Sequence, residues 1–210
     1  MRLYYHAGAC STSNLIALEE AELSYEAIPV DLSDPHSPAT AHVKKLNAMA
    51  QLPVLVLDDG TVLTQNVAIL PYIADLAPEK SLFPPRGRLE RVQAESWLSF
   101  IAADLHTAFA TEYAWTLIWD RNSPEWENAQ QFWMLRLDRR LKVLDDRLAH
   151  HDFIAGSSFT VIDAYALIVL NWAEPTGFSI SSYENIMRYL KRLNERPAVQ
   201  RVMKREGLSG

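Results

Sequence analysis

The sequence predicts an α/β domain followed by an all-helical domain, and three observations support this prediction. Strand-like and helix-like segments alternate over the first 77 residues. A stretch rich in proline and glycine, APEKSLFPPRGR, comes next. After it strand patterns are absent, and apolar residues recur at spacings of three and four. We therefore expect a first domain over residues 1–77, a linker over 78–87 and a helical domain over 88–210.

In the first domain we expect the order βαβ–α–ββα, with strands of mixed direction. The strands are predicted at RLYYH, at YEAIPVDL and in the two apolar runs of PVLVLDDGTVLT, which Asp58-Asp59-Gly60 joins as a hairpin. Pro29 cannot donate a hydrogen bond to a neighbouring strand, so the second strand is expected at the sheet edge. Helices are predicted in STSNLIALEEAEL, after the loop that opens DPHSPATAHVKKLN, and in QNVAILPYIADLA.

Start signals for two helices of the second domain are visible in the sequence. Ser123 followed by Pro124 is typical of an N-cap and the first helical residue. Thr160 with Asp163 three residues later resembles a capping box, in which two side chains satisfy the free N–H groups of a helix start. These signals predict helices from Pro124 and from the FTVIDAY segment.

The composition is that of an ordinary globular protein, with 49% apolar and 22% charged residues. The formal net charge of −6 falls within residues 1–78, and no basic run is present, which argues against nucleic acid as a partner. No stretch reaches ~18 uncharged apolar residues, so no membrane-spanning helix is expected. A single cysteine cannot form an internal disulfide, and the first residues lack the apolar core of a signal peptide. We expect a cytoplasmic protein.

The only cysteine, Cys10, lies between the first predicted strand and the first predicted helix. The partial positive charge of a helix N-terminus makes a nearby thiol easier to ionise, and the thiolate is the reactive form. A small buried apolar residue is the alternative interpretation of a lone cysteine. From the residues alone, both interpretations remain open.

Two further segments could hold a ligand. Pro53 directly precedes an apolar strand, and a cis Leu52–Pro53 bond would present the Leu52 backbone to a peptide-like ligand. A trans proline at a strand start is the alternative. Gln65 and Asn66 lie at a predicted helix start, where backbone N–H groups can hold a carboxylate. Simple N-capping by Asn66 or Thr64 is the alternative there.

Together these segments resemble the cytosolic glutathione transferases, and most of all the bacterial beta class. The resemblance is carried by LYYHAGACS, QLPVLVLDDGTVLTQNVAI, LHTAF and FTVIDAY, and it extends over essentially the whole chain. It implies a thioredoxin-like first domain that binds glutathione as co-substrate, without a metal. It also implies a helical domain that supplies the electrophile site and the dimer contacts. The implied function is detoxification by a cytoplasmic homodimer, through conjugation of glutathione to small apolar electrophiles.

The resemblance also implies site residues. It places Cys10, His106 and Tyr5 beside the glutathione sulfur as catalytic residues. It assigns glutathione binding to Leu52, Pro53, Gln65, Asn66 and Ser99. Thr160 and Asp163 match a structural capping motif of the family. Without the resemblance, His106 would be a surface or core histidine, Tyr5 a packing residue of the first strand, and the tryptophans mostly core. The cluster from Trp115 to Trp126 is a further candidate for the electrophile pocket.

The sequence departs from the beta-class pattern at several glutathione contacts. Gln65 and Asn66 stand where the class carries Glu and Ser, so the charge that would pair with the γ-glutamyl ammonium is lost. Met49 lies in a position near the glycyl end that is usually basic, and Ser99 and Thr107 replace an asparagine and a lysine. Two other functions therefore stay open: thiol–disulfide exchange through Cys10, and a binding or regulatory protein without catalysis.

Overall fold

The computed structural model describes residues 1–31, 34 and 36–208. Four strands form one sheet in the order β2-β1-β3-β4, with β1 at Arg2–Tyr5 and β2 at Glu26–Pro29. These two strands are parallel, whereas β3 (Val54–Val56) runs antiparallel to β1 and β4 (Val62–Thr64) antiparallel to β3. The predicted hairpin and the edge position of the second strand are both confirmed.

The helices of the first domain are α1 (Thr12–Glu20), α2 (Pro38–Leu46) and α3 (Asn66–Leu76), and a short 3₁₀ turn follows at Pro78–Lys80. All residues of α1 from Thr12 to Leu18 are buried, because this helix is packed against α3 and against two later helices, Val161–Asn171 and Pro197–Glu206. The predicted order βαβ–α–ββα is confirmed. Leu32, at the end of the predicted second strand, and Pro35, in the predicted loop, lie outside the described residues.

After the linker, helices are the only regular secondary structure in the described part of the chain, apart from one isolated β-bridge between Phe153 and Gly156. They are α4 (Leu89–Phe100), α5 (Thr107–Thr116), α6 (Pro124–His150), α7 (Val161–Asn171), α8 (Ala173–Thr176), α9 (Glu184–Asn194) and α10 (Pro197–Glu206). Within this described part, none of the helices has the length and apolar character needed to cross a membrane.

A π-helical segment, Ile101–His106, joins α4 to α5. The apolar spacing of this region predicts helix but contains no signal for the wider π turn. Such turns are rare and are often found at functional sites. Here the segment ends at His106, which is one of the candidate catalytic residues.

The predicted start of α6 is confirmed, since Ser123 Oγ accepts a hydrogen bond from the Trp126 N–H at 3.1 Å and Pro124 is the first helical residue. The helix continues to His150, for 27 residues. Its side chains Leu137, Leu141 and Leu144 are fully buried and contribute to the core of the second domain. One capping serine therefore sets the start of the longest helix described.

Asp163 is the buried centre of the capping box at the start of α7, and it is fully inaccessible to solvent. Its Oδ2 accepts from the Thr160 N–H at 2.7 Å and from the Thr160 hydroxyl at 2.9 Å. Its Oδ1 accepts from the Ile154 N–H at 2.9 Å and the Tyr189 hydroxyl at 2.7 Å. One carboxylate thus ties α7 to the preceding loop and to α9.

Two side chains of the helical domain hold the turn after β1 through the backbone N–H and the backbone carbonyl of Gly8. Glu206, at the end of α10, accepts from the Gly8 N–H at 3.0 Å, and its two oxygens accept from the Thr12 hydroxyl at 3.0 and 2.9 Å. The Trp172 indole N–H donates to the Gly8 carbonyl at 2.8 Å. Gly8 has φ +72°, a conformation that favours glycine. These contacts position the turn that leads to Cys10.

We expect Asp163→Ala to lower the free energy of unfolding by about 3–5 kcal/mol, because the variant leaves four buried donors without an acceptor. Urea unfolding followed by circular dichroism measures this loss. Asp146→Ala, at an exposed position on α6, is the matched control and should change the stability little. A loss below about 1 kcal/mol for Asp163→Ala would contradict the structural role of this carboxylate.

Burial raises the pKa of Glu206 above its usual value of 4.5, against the opposing effect of the Gly8 and Thr12 hydrogen bonds. The folded chain therefore binds this proton more tightly than the unfolded chain does. The stabilisation is complete below pH 4.5 and is lost as the pH rises through the folded pKa. Glu206→Gln has no such titration. We expect the difference in unfolding free energy, wild type minus variant, to fall as the pH rises above 4.5 and through the folded pKa.

Urea unfolding at several pH values measures this difference. A difference for Glu206→Gln that stays constant or rises over this pH range would show that Glu206 does not titrate as proposed.

Candidate active site

A cleft of about 790 Å³ lies between the two domains. Its first wall is built by the turn after β1, the loop before β3 and the start of α3. Its second wall comes from the end of the π-helical segment, α5, α7 and α8. Of the residues that sequence analysis assigns to the site, six line the cleft: Cys10, Leu52, Pro53, Gln65, Asn66 and His106. Four separate segments of the chain therefore meet at this cleft.

Cys10 is partly buried, and its Sγ lies 3.7 Å from the Leu52 carbonyl oxygen, to which it donates. Burial raises the pKa of the Cys10 thiol to about 11, although a hydrogen bond from Asn66 opposes the shift. The expectation that the helix N-terminus makes this thiol easier to ionise is wrong. Helix α1 begins two residues later, at Thr12, and desolvation of the thiol outweighs the backbone hydrogen bonds of Cys10 and Ser11, which lower its pKa. Cys10 is therefore a protonated thiol at neutral pH.

The Leu52–Pro53 peptide bond is cis, the less common of the two alternatives. Both residues line the cleft, together with Gln51. The Leu52 carbonyl accepts from Cys10, so the loop before β3 and the turn after β1 are in direct contact at the cleft.

Asn66 is the first residue of α3. Its side chain is buried and forms hydrogen bonds within the protein. Its Oδ1 accepts from the Asn14 amide at 2.6 Å, and its Nδ2 donates to the Cys10 carbonyl at 3.3 Å. The N-cap position belongs to Gln65, which has φ +72° and no capping bond from its side chain. N-capping of α3 by Asn66 or Thr64 is therefore wrong. Asn66 instead fixes α3 against the backbone of Cys10.

Gln65 lines the same wall of the cleft and is exposed. Within the described residues, no hydrogen bond involves its side chain. The amide is therefore available to a ligand, unlike that of Asn66. As a neutral amide it offers both a carbonyl acceptor and N–H donors.

His106 lines the opposite wall, where its Nδ1 lies 2.6 Å from the Tyr165 hydroxyl. The indole of Trp172 packs edge to face against its ring, with centroids 4.9 Å apart. Burial lowers the pKa of His106, so the imidazole is neutral at neutral pH. None of the described residues forms a hydrogen bond with Nε2 of His106, so this nitrogen is available to a ligand. Burial also raises the pKa of Tyr165, which keeps its hydroxyl protonated.

Tyr165 and Trp172 both line the cleft, and sequence analysis did not assign them to it. Tyr165 belongs to the FTVIDAY segment, which carried part of the resemblance. Helical periodicity gives no signal for its role, since α7 is buried from Val161 to Leu170 on all its faces. Only the partners of each side chain distinguish Tyr165 from its apolar neighbours.

Two of the candidate residues, Tyr5 and Ser99, do not line the cleft. Tyr5 is buried in the core, and it is not among the residues that line the cleft. Burial raises its pKa, and the charge of Glu206 adds to the shift. Ser99 is exposed on α4 and is also not among the lining residues. The structure brings neither side chain into the cleft of this chain.

The helical wall carries aromatic and charged side chains, among them Phe109, Tyr113, Glu112 and Arg121. The expectation that the cluster from Trp115 to Trp126 lines a pocket is wrong, because the cleft contains none of its three tryptophans. Trp115 and Trp119 pack against each other, with ring centroids 5.7 Å apart. Trp126 is buried at the start of α6. The cleft therefore receives its single tryptophan, Trp172, from a later part of the chain.

Two family models match the chain. The glutathione S-transferase N-terminal domain matches residues 8–76, and the glutathione S-transferase C-terminal domain matches residues 133–197. Among curated relatives, glutathione S-transferase GstA of Escherichia coli O157:H7 is 33% identical, over 99% of this chain and all of the relative.

Solved structures match over almost the whole chain. A glutathione transferase of Methylococcus capsulatus is 40% identical with a TM-score of 0.88, covering 99% of both chains. The beta-class glutathione S-transferase of Sphingomonas chungbukensis is 35% identical with a TM-score of 0.88, and both chains are fully covered. A sphingomonad glutathione S-transferase complexed with glutathione is also 35% identical, with a TM-score of 0.87 and full coverage of both chains.

The fold, the cleft between its two domains and these full-length matches agree with one another. The chain belongs to the glutathione S-transferase family, and its relatives there include the bacterial beta class.

Proposed function

We propose that this protein conjugates glutathione to small apolar electrophiles in the cleft between its domains. The convergence of Cys10, Leu52, Gln65, Asn66 and His106 on that cleft carries the proposal. The volume of about 790 Å³ lies within the usual range for small-molecule sites, about 300–1,000 Å³. The relative complexed with glutathione supports glutathione as the co-substrate.

In this proposal glutathione lies along the first wall of the cleft. Its γ-glutamyl end is held at the start of α3, where backbone N–H groups and the Gln65 amide are available. Its cysteine lies beside Leu52, and its sulfur lies between Cys10 and His106. Because Gln65 carries no charge, the contact to the γ-glutamyl ammonium is a neutral hydrogen bond, about half as strong as a charge-assisted one.

His106 is the proposed proton acceptor. When Nδ1 donates to the Tyr165 hydroxyl, Nε2 carries a lone pair and takes the proton of the glutathione thiol. The thiolate then attacks the electrophilic carbon and forms a carbon–sulfur bond. The leaving group departs with the electron pair of the broken bond, and the proton passes from His106 to solvent. Cys10 stays protonated, and its S–H turns from the Leu52 carbonyl to donate a hydrogen bond to the developing thiolate.

Thiol–disulfide exchange through Cys10 is less well supported. Exchange requires a thiolate, and burial keeps the pKa of Cys10 at about 11. Conjugation does not require Cys10 to ionise, because the thiolate that attacks belongs to glutathione. The pKa therefore favours the transferase over the exchange reaction.

The proposal includes a homodimer in which the first domain of one subunit faces the helices of the other. Exposed apolar side chains on α3 and α4 support it: Val67 and Leu76, followed by Leu89 and Val92. We also place the reaction in the cytoplasm as a detoxification step. The single cysteine, which leaves the chain without an internal disulfide, is consistent with that compartment.

We expect Gln65→Glu to bind glutathione about tenfold more tightly than the wild type, because the new carboxylate pairs with the γ-glutamyl ammonium. Isothermal titration calorimetry measures both affinities. Gln200→Glu, an exposed change on α10, adds the same charge away from the cleft and should leave the affinity unchanged. Absence of saturable binding to wild type and variant at millimolar glutathione would favour a binding or regulatory protein instead.

We expect His106→Ala to lower kcat roughly 100-fold, because the proton acceptor is removed. Cys10→Ala should lower kcat by less than about tenfold, since a protonated thiol contributes only a hydrogen bond. Conjugation of glutathione to 1-chloro-2,4-dinitrobenzene, followed by absorbance, measures both. Full activity in the Cys10→Ala/His106→Ala double variant would remove both residues from the mechanism.

A further inference from the structure

A single ion pair lies on the helical wall of the cleft, where the rest of the wall is largely apolar. Glu112 of α5 and Arg121, in the segment between α5 and α6, are joined by a contact of 3.2 Å from Nη2 to Oε1. Both side chains line the cleft, and Arg121 is the only lysine or arginine among its described lining residues. The two partners differ in exposure: 4% of the Glu112 side chain is accessible and 56% of that of Arg121.

The guanidinium of Arg121 is held in place from two directions. Glu112 accepts from one of its N–H groups, and its carbon lies 5.2 Å from the centroid of the Trp126 ring. A guanidinium has five N–H donors. Within the described residues, Glu112 is its only hydrogen-bond partner. The remaining donors are available at the cleft.

Glu112 is buried beneath the guanidinium. Burial raises the pKa of this carboxyl, and the charge of Arg121 opposes the shift. A buried carboxylate is stable only when it is paired, so Glu112 and Arg121 restrain each other. Glu112 is therefore a positioning residue for the Arg121 guanidinium at the cleft.

Phe109 and Tyr113 of α5 lie on the same wall as this cation. Phe109 is buried, whereas the ring of Tyr113 is exposed. An exposed aromatic ring beside a restrained guanidinium suits a ligand with a flat apolar body and one anionic group. The anion would pair with the free N–H groups of Arg121, and the apolar body would pack against Tyr113. A neutral ligand would leave those N–H groups to water.

We infer that Arg121 selects electrophiles that carry a carboxylate, and that these are the preferred substrates of the cleft. This inference rests on the proposed conjugation of glutathione and names its substrate class. The carboxylate does not react: the thiolate of glutathione forms a bond to a different carbon, from which the leaving group departs with its electron pair. The glycyl carboxylate of glutathione is another source of the same anion. We assign Arg121 to the electrophile because it lies on the wall opposite Gln65.

A matched pair of substrates tests this assignment. In 4-chloro-3-nitrobenzoate and its methyl ester, glutathione displaces chloride from the same ring carbon, but only the first compound is an anion. Each kcat/KM is divided by the rate of the uncatalysed reaction. We expect Arg121→Met to lower this value at least tenfold for the benzoate and less than twofold for the ester, with the KM for glutathione unchanged.

Two further variants keep the test decisive. Arg121→Met leaves Glu112 buried without its cation, so the double variant Glu112→Gln/Arg121→Met removes both charges and should show the same selective loss. Arg136→Met is the matched control, because Arg136 also lies over an aromatic ring, that of Phe132 at 5.7 Å, and is not among the cleft residues. Arg136→Met should leave this normalised kcat/KM unchanged for both substrates.

Equal losses for benzoate and ester would overturn the inference. A higher KM for glutathione in Arg121→Met would also overturn it, and would assign the residue to the glycyl carboxylate. If wild type turned over neither compound but conjugated 1-chloro-2,4-dinitrobenzene, the preference for carboxylate electrophiles would be wrong and the proposed function would stand. If it conjugated none of the three, the proposed function would fail, and calorimetry with 3-nitrobenzoate would decide only whether Arg121 binds a carboxylate. Binding that the double variant loses would support that role of Arg121, whereas binding that the double variant retains, or no binding to wild type, would contradict it.

Discussion

The two hydrogen bonds to Gly8 are the interaction on which the site depends. Its N–H is held by Glu206 and its carbonyl by Trp172, both from the helical domain. The turn with Cys10 is therefore fixed by residues more than 160 positions away in the sequence. Trp172 also packs on His106, so the same side chain positions both walls of the cleft. The geometry of the cleft is thus a property of the packed pair of domains.

Burial then decides the chemistry of the groups that this packing brings together. It keeps Cys10 as a thiol, His106 as a neutral imidazole and the Tyr165 hydroxyl protonated. The site therefore holds neutral groups that can accept or donate a proton beside the proposed position of the glutathione sulfur. The described charges of the cleft lie elsewhere on its helical wall, in the pair of Glu112 and Arg121. The proposed proton transfer and the proposed charge recognition are in this way assigned to different side chains of the cleft.

Weak glutathione contacts and a specific electrophile site form a consistent pair of proposals. Gln65 offers a neutral contact where a charge would bind more tightly. Arg121 adds a charged contact on the opposite wall of the same cleft. In such a cleft, contacts to the second substrate contribute more to specificity. In a site with several charged contacts to glutathione, they contribute less. Substitutions on the two walls should therefore act on different substrates.

The sequence by itself determined the local features, because short-range physical chemistry decides them. The order of strands and helices, the hairpin at Gly60, the cap at Ser123 and the box at Asp163 follow from nearby residues. The resemblance identified six residues that line the cleft. Only the tertiary structure decided the ionisation of Cys10, the place of Tyr5 in the core and the partners of Tyr165 and Trp172. These depend on burial and on contacts between distant segments, which no local pattern contains.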